Sequence, residues 1–314
     1  MLSARRWITR IARRPLQPLH AAMYRWVLRT FPPAAADGID YDQPAGDPGL
    51  FGPDSSVWRI HACFPGMLAG GLAALTMQTL HPLALAGVWE HSNFRYDLLG
   101  RLRRTTTFVG ATTYAPTGPA EAMIEHVHRL HEHITGRGED GRAYAANDPA
   151  LLTWVHVTQA WCFLQGYRRY SHVALPIGTA DRYYDEVRRT AEKLGATGVP
   201  SSQREVDQYF QAIQRDLIFT ERARVVLALL SQVQLPVPAA TLARDVFLGA
   251  GAALLPDWAV TMLRRTPRQQ RAARLAAAAL WSVAPAFRAA LQNGIASRSC
   301  RRVGMPPECL HRWA

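Results

Sequence analysis

A chain of 314 residues with 48% hydrophobic and 19% charged residues carries enough apolar side chain for a large core, which excludes a predominantly disordered protein. The net charge of +12 points to an anionic partner, yet all but one of the 36 basic residues are Arg, the exception being Lys193. No recognition motif or basic-aromatic ladder accompanies that charge, so nucleic acid is not the expected partner, and a GC-rich genome accounts for part of the Arg excess.

The chain begins with a basic arm, residues 1–56, ahead of a helical domain expected over 57–314. Residues 1–36 hold seven Arg and no acid. Arg5-Arg6 invites a twin-arginine reading, but Arg10, Arg13 and Arg14 interrupt what would be the apolar signal core, so the segment is expected to stay unprocessed. Trp7, Ile8 and Ile11 share one side of an amphipathic helix that either rests on a membrane surface or packs on its own domain. The expected location is cytoplasmic, peripheral to the membrane in the first of these readings. Residues 32–55, with Pro32-Pro33, Asp37-Gly38 and Pro44, read as irregular.

A helix is expected from about Val57 and another over Pro65–Leu80. The apolar run Pro65–Val88 has the length of a membrane span, but Gly70-Gly71, Gln78, His81 and Pro82 favour a buried central helix. Further helices are expected over Phe94–Tyr114, Pro119–Ile134 and Pro149–Tyr170, the last with Asp148 as N-cap and Pro in the first turn. Asp181–Leu194 follows, closed by Gly195. Ser202-Gln203-Arg204-Glu205 resembles a capping box before a helix placed at Asp207–Ile218. Thr220–Leu230, Ala239–Leu255 and Pro267–Asn293 complete the series. Apolar spacing of three and four residues throughout makes the fold class all-α, a single helical domain. The four cysteines, Cys63, Cys162, Cys300 and Cys309, show no CxxC or metal-finger spacing, and nothing requires an oxidising compartment.

Seven of the eleven histidines fall between His81 and His156. On a helix, Ile124, Val127, His131 and Ile134 share one face, whereas His126 and His133 point away. His131 is therefore either a hydrogen-bonded core histidine or a ligand for metal or haem iron. Arg101, Arg104 and Thr105, at i, i+3 and i+4, lie on one side of their helix, as a solvated basic face or as a polar wall that binds carboxylates or orients an oxygen species. His156, in the most apolar helix, is a supporting histidine or a competing axial ligand. His81 and His91 read as helix-end residues that bond backbone. Glu90 is a candidate for a distal acid.

The ordered set His81-Pro82, Glu90-His91-Ser92-x-Phe94, Arg101-x-x-Arg104-Thr105, the helix bearing His131, Asp140-Gly141-x-x-Tyr144 and Asp148-Pro149-x-Leu151-Leu152-x-Trp154-Val155-His156 resembles the MpaB and latex-clearing-protein family of haem oxygenases. Tyr183-Tyr184-x-Glu186 extends the likeness, which covers roughly 57–230. The resemblance implies a globin-like core holding haem b, and a dioxygenase that cleaves carbon-carbon double bonds of isoprenoid chains. It makes His131 the proximal iron ligand, with His156 the other cofactor-binding candidate, and gives the distal catalytic roles to Arg101, Arg104 and Thr105. Arg104 departs from the latex-clearing branch, which has Lys there, and a guanidinium that stays protonated does not coordinate iron as an amine can.

The expected function is thus a haem b-dependent oxygenase acting with dioxygen on an apolar small-molecule alkene or a prenyl chain; polymeric rubber is not expected for a chain of this length without a secretion signal. Two rivals remain open. One is a non-haem metal oxidase using Glu125, His128, His131 or His156, with Glu308-x-x-His311 as the only second match to the spacing of Glu125-x-x-His128. The other is a non-catalytic helical protein that binds lipid or membrane.

Overall fold

The computed structural model describes residues 17–31 and 38–313, and within them the regular structure is helical apart from one small hairpin. The helices are α1 (Gln17–Thr30), α2 (Ser56–His61), α3 (Phe64–Gln78), α4 (Pro82–His91), α5 (Leu98–Tyr114), α6 (Thr117–Glu132), α7 (Pro149–Tyr170), α8 (Thr179–Lys193), α9 (Gln203–Ile213), α10 (Glu221–Gln232), α11 (Ala240–Ala252), α12 (Asp257–Met262), α13 (Pro267–Ala290) and α14 (Ile295–Arg302). Strands β1 (Thr135–Arg137) and β2 (Ala143–Ala145) pair antiparallel, Gly136 opposite Tyr144. The all-α expectation holds. The amphipathic segment around Trp7, Ile8 and Ile11 lies outside the described residues.

The centre of the molecule is α3, packed along α7 on one side and α11 on another. Small residues permit that closeness: a Cβ on Gly66 would stand 2.7 Å from Gly166 O, and one on Gly70 would stand 2.6 Å from Cys162 O. Trp154, Met77, Leu80, Leu164 and Tyr170 fill the space around the seam. Outside α11 lies α13, against which α1 packs, with Trp26 stacked on Phe247 at 5.8 Å and edge-on to Phe287. The segment read as an arm thus contributes α1 to the main core. Among the described residues no single helix is long and apolar enough to cross a membrane; α3 and α4 meet that length and composition test only as a pair bent by 103°.

Residues 38–55 form no helix or strand, as the Pro and Gly content implied. They are fastened by the buried Arg302, which donates to Asp47 O (2.7 Å) and Tyr41 O (3.0 Å). Asp47 in turn accepts from the Thr117 N–H and hydroxyl at the start of α6.

Several boundaries follow from caps. Asp148 accepts from Ala150 N and Leu151 N at the expected start of α7. His81 caps α4, its Nδ1 accepting from Ala84 N, with Pro82 in the first turn; the helix-end expectation for His81 holds, but no helix was expected at 82–91. Ser202 caps α9, so the helix expected at Asp207–Ile218 opens earlier and gives way to a short 3-10 turn at Gln214–Asp216. The expected capping box is half made: Glu205 accepts from Ser201 N instead of Ser202 N.

Candidate functional site

Helices α5 and α6 form an antiparallel pair joined at Ala115-Pro116, so the start of α5 and the end of α6 lie at the same level. That level, together with the end of α3, α4, the hairpin, the start of α7 and α10, lines a partly open pocket of about 300 Å³. Its walls are mainly aliphatic and aromatic, including Leu83, Val88, Phe94, Ile134, Leu151 and Val226. Gln78, Thr79, His91, Ser92, Arg101, His131 and Tyr144 supply the polar lining. An apolar chamber with few convergent polar groups is the usual form of a small-molecule or cofactor site.

Arg101 is positioned from the cap of α5. Asp97 accepts from Gly100 N at 2.8 Å, and the absence of a side chain at Gly100 leaves room for the Asp97 carboxylate in that position. The Arg101 guanidinium that follows lines the pocket and has no hydrogen-bond or ion-pair partner among the described residues. Burial, and then the charge of Arg104, pull its pKa down to about 10, so it stays cationic at neutral pH.

His131 reaches the same pocket from the last turn of α6. Its Nδ1 is buried without a hydrogen-bond partner. Burial first, and His128 second, lower its pKa against a smaller opposing contribution from the Asn147 side chain, which favours a neutral ring with a free lone pair. His128, one turn earlier, bonds Leu194 O at 3.1 Å, while His126 and His133 are exposed as their helical positions required.

The other residues singled out from sequence lie outside the pocket lining. Arg104 is exposed, bonds Asn93 Oδ1 at 3.0 Å and faces Asp97 at 3.6 Å. Thr105 is exposed and its hydroxyl donates back to Arg101 O. His156, on α7, lies deep among protein atoms without being sealed off; it has no hydrogen-bond partner among the described residues, and burial takes its pKa down to about 4. Its charge neighbour is His61, whose ring joins Thr113 Oγ1 (2.8 Å) and Tyr183 Oη (3.0 Å). The structure therefore unites Arg101 with His131 and leaves Arg104, Thr105 and His156 apart from them.

Glu90 does not line the pocket directly. Its Oε2 accepts from the Tyr144 hydroxyl at 2.5 Å and its Oε1 faces Arg222 at 3.5 Å. Tyr144 does line the pocket, and burial, then the Glu90 carboxylate, raise its phenol to about 12. Tyr144 was visible in the Asp140-Gly141-x-x-Tyr144 motif but not assigned to the site. Arg222 and the α10 wall carried no local signal, because only the fold brings them to α4.

Among the described residues no three His, Cys, Asp or Glu side chains converge as a metal-ligand set. Glu125 points outward to Arg129 (3.1 Å), and Glu308 and His311 lie in a 3-10 turn, Pro307–His311, at the far end of the chain.

No curated protein and no solved structure matches this chain. A family model described as "ER-bound oxygenase mpaB/B'/Rubber oxygenase, catalytic domain" matches residues 58–284, a span that includes every residue of the pocket. With most of its length covered by that match, the chain belongs to the family of mpaB and rubber-oxygenase catalytic domains and is an oxygenase.

Proposed function

We propose that this oxygenase uses haem b and dioxygen to cleave a carbon-carbon double bond in an apolar alkene or isoprenoid chain. The observation that carries the reading is the meeting of His131 and Arg101 in one apolar chamber. A haem asks for a neutral imidazole, a greasy enclosure for its macrocycle and cations for its propionates. His131, the aliphatic walls and the unpartnered Arg101 guanidinium match those demands in turn.

When bound, the haem supplies the binding and activation of dioxygen. The chain's own part is to hold and shield. His131 would hold the group through a ring nitrogen, and the burial that lowers its basicity favours the unprotonated ring. Arg101 would supply a fixed positive charge to a propionate carboxylate of the bound group. Leu83, Val88, Phe94 and Leu151 exclude water and accept an apolar substrate beside the reacting centre. Tyr144 keeps its proton on Oη, donated to Glu90, and so presents a neutral wall.

A cytoplasmic chain touching membrane through the Arg-rich first residues would meet such a substrate where it dissolves, and that location is part of the proposal. The visible spectrum of the purified full-length protein tests the cofactor. A Soret band at about one haem per chain, abolished by His131→Ala with helical circular dichroism retained, supports the reading. Colourless protein with stoichiometric iron or zinc transfers it to a non-haem oxidase, and protein without metal to a lipid-binding role. Loss of the band in His156→Ala but not in His131→Ala moves the ligand to His156.

A further inference from the structure

Asn147 stands between β2 and the Asp148 cap of α7, and two hydrogen bonds bracket His131 from that side. The backbone N–H of Ala146 donates to Ile134 O at 2.8 Å, three residues after His131. The side-chain Nδ2 of Asn147 donates to His128 O at 3.1 Å, three residues before it. The second bond resolves the orientation of the amide, because a carbonyl only accepts: nitrogen must face His128 O, and oxygen must face the other way. That oxygen, Asn147 Oδ1, is buried without a hydrogen-bond partner. The Asn147 side chain lies within hydrogen-bonding reach of the His131 ring, whose Nδ1 is buried without a partner as well.

Two buried, unsatisfied atoms are costly unless they complete each other, and here one is an obligate acceptor and the other can carry a proton. We propose that Asn147 is a positioning residue for His131: its Oδ1 accepts the Nδ1 proton, which fixes the ring's tautomer and turns Nε2 to the pocket. The inference rests on the haem reading above in one respect, that Nε2 then meets iron; the hydrogen bond itself concerns the chain alone. A ligating histidine generally donates its second nitrogen to such an acceptor, which sets ring orientation and ligand basicity. A carbonyl acceptor leaves the ring neutral, so ring and iron differ from those of a carboxylate-backed histidine.

The experiment has two arms. In the metal-free full-length chain, ¹⁵N shifts of the His131 ring near pH 7.5 should report the Nδ1–H tautomer, and in Asn147→Leu a mixture of tautomers. In the haem-loaded chain, Asn147→Leu should lower the iron–histidine stretching frequency of the ferrous form, raise the reduction potential, and weaken haem retention about 10- to 100-fold. Asn147→Asp, which offers a charged acceptor, should move frequency and potential in the opposite directions. An Nε2–H tautomer in the unsubstituted chain overturns the proposal without need of any variant. So does an unshifted iron–histidine band in both variants while His131→Ala still loses haem; the haem reading then survives and the role of Asn147 does not. If the chain binds no haem, the haem reading fails, and the tautomer alone decides the hydrogen bond.

Discussion

The Tyr144 hydroxyl and the Glu90 carboxylate share a 2.5 Å hydrogen bond that joins the hairpin to the end of α4 directly behind the pocket wall. Gly136, opposite Tyr144 in the hairpin, leaves room for it: a Cβ there would stand 2.6 Å from the Tyr144 hydroxyl oxygen. Tyr144→Phe keeps the ring packed but strands the carboxylate with Arg222 alone. A hydrogen bond to a charged acceptor is worth roughly 2 kcal/mol. Urea denaturation should register a loss of about that size, and a variant as stable as the parent would mean that Arg222 already satisfies Glu90.

Arg101 and Arg104 should separate in function although they are one helical turn apart. Arg101 faces the chamber and Arg104 faces solvent. Arg101→Ala is expected to lower oxygen-dependent turnover about 100-fold, the equivalent of ~3 kcal/mol for a preorganised charge near a developing anion. Arg104→Ala is expected to stay within a few-fold of the parent. Steady-state oxygen consumption at matched haem content compares them directly, and the reverse ranking would restore Arg104 to the distal role.

Acid should destabilise the protein through two histidines outside the pocket. Burial, with an added contribution from His156, takes His61 down to about 3, and burial takes His156 to about 4, both below the ordinary 6.5. Because these folded-state values are depressed, the unfolded chain gains protons first as pH falls. Stability is therefore fully present above about pH 6.5 and is lost progressively toward pH 3, at up to about 1.4 kcal/mol per pH unit for each ring. Urea midpoints measured between pH 7.5 and 4.5 should show the slope, and His156→Gln should flatten it. A slope unchanged in that variant assigns the effect elsewhere.

The N-terminal basic run makes its own prediction. Full-length protein should co-sediment with anionic vesicles, and not neutral ones, in a salt-sensitive manner, each Arg adding roughly 1 kcal/mol near the surface. Replacing Arg5, Arg6, Arg10, Arg13 and Arg14 by Gln leaves α1 in place and should abolish that binding. Deleting residues 1–55 is the poorer test, because it also removes Val27 and Trp26 from the core. Equal sedimentation of parent and variant would dismiss the membrane role.

How far the sequence could be read depends on where each decision is made. Asp148-Pro149 announced α7 because cap and first-turn proline act within four residues. His131 stood out because its neighbours at helical spacing are aliphatic. The hairpin did not show: its Gly136, Gly138, Asp140 and Gly141 have no strand pattern, and its pairing is set by contact with α4. The side-chain spacing of Arg101, Arg104 and Thr105 was sound as helical geometry, but spacing cannot say where a pocket ends, and this one ends at the first turn and a half of α5. Asn147 and Arg222 gain their meaning only from partners elsewhere in the chain, His128 nineteen residues from the one and Glu90 more than a hundred from the other.

The glycine contacts between α3 and α7 also govern how the chamber opens. Backbones that touch through Gly66 and Gly70 have no side chains to re-sort, so neither helix can slide without breaking contact along the whole seam. Since α7 supplies Leu151, Leu152 and Val155 to the chamber, that wall is an anvil. Admission of a bulky guest then falls to the opposite side, where α5 and α6 pack chiefly on each other and α10 on α4 and α11. Hydrogen exchange should be slowest along α3 and the middle of α7 and orders of magnitude faster at the open ends of α5 and α6. The enzyme would breathe as a hinged jaw against a fixed plate, and enlarging its substrate range would mean editing the jaw.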